Sequence, residues 1–331
     1  MLAPEDLYEV VGDLSDGAAT TALTPARTGS GPAGGLVLVH ALTGFVDAGA
    51  ASSLAVRHLL AELPSRPLAR FDLDQLYDYR ARRPPMSFSG DRFTDVDLPE
   101  LVLHEVHDRE DRTFLLLVGP EPDVQWQRFA AAVGQLVGRF GVDLAVSLQG
   151  IPWAAPHTRP IALTAHASER SLIAGRPRWI GEITVPGHAG AFLELHLARS
   201  GVPSMGFSAH VPHYLASAEF PPAAVALLDA LAAATGLSLP VQALAAAGSV
   251  VLGEVDAQVA ASPETSTAVA SLEHQYDAVL AGRGLEGPSL MAPRLPEEEV
   301  ADGDELAAEL ERYLRQHEGG AEGPGAGGAV G

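Results

Sequence analysis

LVLVHALTGFVDAGAASSLAVRHLLAEL, residues 36–63, decides the fold. Leu36–Leu42 is an apolar run of the kind that forms a strand buried on both faces. A helix is expected from about Ala48, because Val56, Leu59, Leu60 and Leu63 fall on one face at helical spacing. Asp47 stands where a carboxylate caps the first turn. Strand, loop and helix in this order predict a parallel sheet with helices packed on it.

Working outward, the same logic predicts further elements. Strands are expected at Leu68–Leu73, Val142–Leu148, Pro160–Ala165, Glu182–Val185 and Val202–Ser208. Leu101–Val106 and Thr113–Val118 read as a hairpin around the charged turn HDREDR. The strand at Leu68–Leu73 ends in DLDQLYDYRARRPP (72–85), a polar, charged loop. Trp126, Phe129, Val133, Leu136, Val137 and Phe140 form one helical stripe, which Gly141 ends. Asp123 is placed to cap it. A helix is expected over Ala189–Arg199.

From Pro221 the character changes. PPAAVALLDALAAATG has proline at its start and glycine at its end, the helix punctuation. Two more helical stretches run to about Gly282, the last with Val269, Leu272, Tyr276, Val279 and Leu280 on one face. The resulting organisation is an N-terminal arm and loop (1–35), an α/β core (36–218), a helical extension (219–284), a linker (285–302), an acidic amphipathic helix (303–317) and a disordered tail (318–331). The fold class is a three-layer α/β/α, doubly wound, mostly parallel sheet with a C-terminal helical extension. Ligands of such sheets bind beyond the carboxyl ends of the strands.

Composition excludes several chemistries. The 331 residues contain no cysteine, so disulfides, thiolate nucleophiles and thiolate metal sites are absent. They contain no lysine either, which removes a phosphate-loop lysine and any Schiff base. The net charge of −21 disfavours nucleic acid and anionic lipid as partners. No uninterrupted apolar run approaches the ~18 residues of a membrane span, and MLAPEDLYEV is not a signal peptide. A cytoplasmic protein without a membrane partner is expected.

Six of the twelve histidines crowd Gly150–Tyr214: His157, His166, His188, His196, His210 and His213. Three-residue spacing, as in His210 and His213, suits a metal only on a helix, and Pro212 makes this segment read as a loop. No metal or cofactor is expected. GFSAH, Gly206–His210, lacks the final glycine of a Gly-x-Ser-x-Gly elbow, which argues against Ser208 as a nucleophile. In TGFVDAG the Asp47 carboxylate would repel a phosphate, so the loop reads as a capped helix start. Arg80, Arg82 and Arg83 could grip an anion or pair with Asp72, Asp74 and Asp78.

Several motifs together resemble the actinobacterial branch of the proteasome assembly chaperone 2 family. They are GFVDAG (44–49), FDLDQLYDYRARRPP (71–85), GPEPDVQWQRF (119–129), GIPWAAPHTRP (150–160), TAH (164–166), VPHYLA (211–216), LEHQYD (272–277) and GDELAAELERYL (303–314). The resemblance implies a phosphorylase/hydrolase-like α/β core with a helical addition, and self-association or pairing with relatives. A homo-oligomer is expected, a trimer among its forms, with proteasome components as a further class of partner. Some archaeal relatives of that family end in a hydrophobic–Tyr–any-residue tail, which Ala329-Val330-Gly331 does not match. Two readings follow. One is a non-enzymatic protein-binding or assembly factor. The other is a small-molecule binder or hydrolase/phosphorylase-like enzyme, its pocket built from Asp47, Tyr77, Arg80, Glu121, His157, Arg159, His166, His210, His213 and Tyr214. The second requires these ten side chains to converge on one cavity.

Overall fold

A computed structural model describes residues 2–11, 35–176 and 182–283. In chain order its elements are β1 (Tyr8–Val10), β2 (Leu36–Thr43), α1 (Ala51–Glu62), β3 (Ser65–Phe71), β4 (Met86–Ser89), β5 (Arg92–Val96), β6 (Val102–His107), β7 (Thr113–Pro120) and α2 (Trp126–Phe140). There follow β8 (Val142–Trp153), β9 (Leu163–Ala167), α3 (Ala189–Arg199), β10 (Ser204–Pro212), α4 (Pro221–Thr235), α5 (Gln242–Ala261) and α6 (Pro263–Arg283).

Eight strands form one mixed sheet in the order β1-β3-β6-β7-β2-β8-β10-β9. The centre, β7-β2-β8-β10, is parallel throughout. The outer pairings are antiparallel. This is the expected doubly wound α/β/α sheet. Alternation along the central strands sends Val37, Val39, Val146 and Phe207 to one face, where they pack with α1 and α4. Leu36, Leu38 and Ala145 go to the other, under α2 and α3.

Gly141 ends α2 at φ 69°, in the left-handed region that glycine occupies without strain. The helix of Pro221–Thr235 has its proline in the first turn and Gly236 as C-cap. Its Ala223, Ala224, Leu227, Leu228 and Leu231 are buried in the core beside α1. Helix α5 is long and apolar enough, by length and composition alone, to cross a membrane, although no unbroken run suggested it. It also carries Glu254 and Asp256, and it packs on α4 and α6.

The structure corrects several expectations. GIPW is not a loop: β8 pairs with β10 through Trp153. Likewise His210 belongs to β10, which ends only at Pro212 because proline lacks the donor needed to extend a ladder. The strand expected at Pro160–Ala165 is Leu163–Ala167, an antiparallel edge. Glu182–Val185 forms no strand, and Ile183 and Val185 are exposed there. Asp123 does not cap α2, whose N-cap is Gln125 with no side-chain cap. Its carboxylate instead accepts from Asp78 N (2.6 Å) and Arg82 Nη2 (2.7 Å).

The polar stretch before Leu101 holds an unexpected second sheet, the β4–β5 hairpin. Cross-strand register puts Met86 opposite Val96 and Phe88 opposite Phe93, giving one apolar face. Ser87, Asp95, Ser89 and Arg92 form the other. Every residue of both strands is exposed. The linker, acidic helix and tail expected at 285–331 lie outside the described residues, as do 12–34 of the arm.

Candidate functional site: a latch and a polar sheet face

The histidine-rich segment resolves into two structures. The first is a latch between the sheet and α5–α6. His157, 4% exposed, donates its backbone N–H to Tyr214 Oη (2.8 Å). Its Nδ1 lies 2.6 Å from the same oxygen and its Nε2 3.1 Å from Asp256 Oδ1 on α5. One proton arrangement serves all three: Tyr214 donates to Nδ1, and Nε2–H donates to Asp256. Burial pushes the Tyr214 phenol above its ordinary pKa, so it remains a donor. Next in sequence, Thr158 Oγ1 bonds Glu273, and Arg159 forms a two-pronged pair with Asp277 (2.9 and 2.7 Å). Tyr276 Oη donates to Pro160 O at 3.1 Å. Motifs HTRP and LEHQYD therefore face each other across one junction.

The second is a polar face on the α3 side of the sheet. Register aligns His40, Ser147, Gly206 and His166 in one row, and Gln149, Ser208 and Thr164 in another. Glu194 of α3 reaches the first row: its Oε2 accepts from Ser147 Oγ (3.0 Å) and lies 2.9 Å from His166 Nε2. Burial works to raise the Glu194 carboxyl, yet His166, His40 and Ser147 hold it below its ordinary value. A Cβ on Gly206 would collide with Ser147 Oγ and His166 Nε2. Only glycine leaves room for them. His40 is 1% exposed, and neither ring nitrogen has a partner among the described residues. Burial pushes its pKa down to about 4. His210 stacks on Trp153, centroids 4.1 Å apart, and its Nε2 lies 2.8 Å from Thr164 Oγ1. Burial takes it to about 4 as well.

Ser147, His166 and Glu194 do not form a relay. A serine–histidine–acid relay uses one imidazole nitrogen for the hydroxyl and the other for the acid. Here both contacts fall on His166 Nε2, and the serine donates straight to Glu194. Ser147 is also 1% exposed. Among the described residues no three His, Asp or Glu side chains converge as metal ligands.

The ten expected pocket residues scatter. His157, Arg159 and Tyr214 are latch, with the His213 ring edge-on to Tyr214. His166 and His210 sit on the polar face. Asp47 caps α1 in displaced form, its Oδ1 accepting from Ser52 N (2.8 Å) and Ser52 Oγ (2.7 Å). Glu121 accepts from Phe45 N and Ala189 N, tying the β2–α1 loop to the start of α3. Tyr77 lies under the Arg82 guanidinium, 4.2 Å from its ring centre. Arg80 is exposed. A groove of about 310 Å³ between α4, α5 and the HTRP loop is lined by two of the ten, His157 and Arg159.

Sequence reasoning missed Ser147, Gln149 and Glu194, and weighed Ser208 only as a nucleophile. The period-two placement of Ser147 and Gln149 inside an apolar strand was the available signal.

The PAC2 family model matches residues 41–259. No curated protein matches the chain. Among solved structures, a Mycobacterium tuberculosis protein of unknown function is 44% identical, with a TM-score of 0.76, over 84% of this chain and 91% of that one. A Corynebacterium glutamicum protein of unknown function is 35% identical, with a TM-score of 0.74, over 83% of this chain and 99% of that one. A second M. tuberculosis protein, described as a proteasome-assembly chaperone homologue, is 26% identical, with a TM-score of 0.65, over 71% of this chain and 100% of that one. With latch, sheet and motifs in place, this chain belongs to the PAC2 family, beside its actinobacterial members.

Proposed function

We propose that this chain is a cytoplasmic, non-enzymatic protein-binding factor that self-associates, and that the β4–β5 hairpin is its contact surface. The exposed apolar face of that hairpin carries the reading. Met86, Phe88 and Phe93 are 56–66% exposed, and Val96 and Leu98 continue the patch. An isolated two-stranded hairpin is marginal in water and needs a third surface to hold it. Patches of this kind mark association sites. The resemblance to a proteasome-assembly chaperone homologue supports an assembly role, with proteasome components as the further partners. The test is the solution mass of the full chain by light scattering. Wild type is expected as an oligomer and Phe88→Ser/Phe93→Ser as a monomer of unchanged circular dichroism. A monomeric wild type across micromolar concentrations would sink the reading.

One observation favours a second reading, small-molecule binding. On the polar face both ring nitrogens of His40 and Nδ1 of His210 are buried without a hydrogen-bond partner among the described residues, in the rows on either side of Gln149 and Ser208. Buried polar groups are ordinarily hydrogen-bonded, by protein, water or ligand. Native mass spectrometry of protein purified without denaturant tests this. A stoichiometric adduct lost in Gln149→Leu supports a ligand; bare protein mass rejects it.

A further inference from the structure

We infer that the polar face beside α3 binds a small polyhydroxylated molecule, uncharged or cationic, and that Glu194 selects its charge. The inference rests on the small-molecule reading above and adds the chemical class of the ligand.

His40 is the starting point. It stands in the middle of the sheet, on β2 between β7 and β8. Both its ring nitrogens are buried without a hydrogen-bond partner among the described residues. Such groups are ordinarily bonded to protein, water or a ligand. The row runs on through Ser147 to His166, and Glu194 contacts both. Depth along it is graded. His40 and Ser147 are each 1% exposed, the Glu194 side chain 13% and the His166 side chain 36%. The row therefore has a floor at His40 and an opening at His166. Gln149 and Ser208 add polar side chains in the row beside it.

These groups dictate the ligand. A neutral imidazole has one N–H donor and one acceptor nitrogen, so His40 calls for both an acceptor and a donor. Hydroxyl groups are both. Burial keeps His40 neutral at pH 7. Glu194 is the carboxylate of the row. Burial works against its charge, but His166, His40 and Ser147 hold its carboxyl below the ordinary range. Its Oε2 takes the contacts with Ser147 and His166, and its Oε1 takes neither. Oε1 is the atom that a ligand ammonium would meet, in a charge-assisted hydrogen bond. An anion finds no such partner. The chain has no lysine, and among the described residues no arginine pairs with Glu194 or His166. A metal ion is disfavoured as well, since no three ligands converge among the described residues.

The test uses the full chain with isotope-labelled histidine, read by nitrogen NMR at pH 7, the His40 signals being assigned by their loss in His40→Gln. Three probes share one carbon skeleton: aminopropanediol (cationic), glycerol (neutral) and glycerate (anionic). Saturable shifts of the His40 and His166 ring nitrogens are expected with the first two. Aminopropanediol should bind about fivefold tighter than glycerol, and glycerate should not bind. Glu194→Gln, with unchanged circular dichroism, should bring aminopropanediol down to the glycerol level. Unmoved His40 signals with all three probes, glycerate binding as well as aminopropanediol, or an unchanged order in Glu194→Gln would each overturn the inference. If native mass spectrometry still shows a stoichiometric adduct, the small-molecule reading survives and the ligand class named here fails. Bare protein mass together with unmoved signals overturns both, and leaves His40 to water.

Discussion

His157 and Asp256, 99 residues apart, meet with Nε2 and Oδ1 at 3.1 Å, and this contact fastens α5 to the sheet. It depends on Tyr214, whose hydroxyl holds both the backbone and Nδ1 of His157. Tyr214→Phe leaves two buried groups unpartnered and should cost about 1–3 kcal/mol in denaturant unfolding. Amide exchange should rise in α5 and α6 before the central strands. Arg159→Ala, which breaks partly exposed pairs, should cost under about 1 kcal/mol. Equal effects of the two substitutions would contradict this ranking.

Gly206 is the only residue that fits between Ser147 and His166. Gly206→Ala should destabilise by about 1–3 kcal/mol, because the new Cβ would push the Ser147 hydroxyl and the His166 ring off their contacts with Glu194. Gly138→Ala, on α2 with open space around its Cβ position, should be neutral or stabilising. Thermal midpoints of the two variants check the contrast.

Acid should unfold this protein early. His40 and His210 are held near pKa 4 by burial, against 6.5 when free. Their folded pKa values lie below the unfolded ones, so the unfolded state binds protons first as pH falls. Stability is therefore full above pH 6.5 and declines between about 6.5 and 4. The two histidines together account for as much as roughly 7 kcal/mol over that window. His40→Gln/His210→Gln should flatten the decline in urea unfolding at pH 7 and 5. An unchanged slope would show that other groups control it.

Asp47 sets the start of α1 by accepting from Ser52 N and from both the Ser52 and Ser53 hydroxyls. Asp47→Ala should cost about 1–2 kcal/mol. Asp47→Asn retains an acceptor and should cost less. The order of the two in chemical denaturation distinguishes a cap from a catalytic carboxylate, which would leave stability nearly untouched.

The central strands and the six described helices were legible because their patterns are strong. Leu36–Leu42 is apolar on both faces, and the Trp126 stripe is helical over four turns. The ends were less legible because tertiary pairing overrides local signals. β8 runs on through Pro152 since β10 lies alongside it. Glu182–Val185 has strand-forming residues but pairs with no strand among the described residues. The hairpin carried a readable signal, MSFS and RFTDV alternating around Gly-Asp, that its polar composition masked. The histidine motifs marked conspicuous chemistry without its geometry, since no spacing shows that His157 faces α5 while His166 faces α3.

The most direct test of self-association through the hairpin is hydrogen exchange over Met86–Val96 at two protein concentrations. A free hairpin exchanges within seconds. The account predicts protection at high concentration, lost on dilution and absent in Phe88→Ser/Phe93→Ser. Immediate exchange at every concentration, in a chain that still sediments as an oligomer, would contradict it.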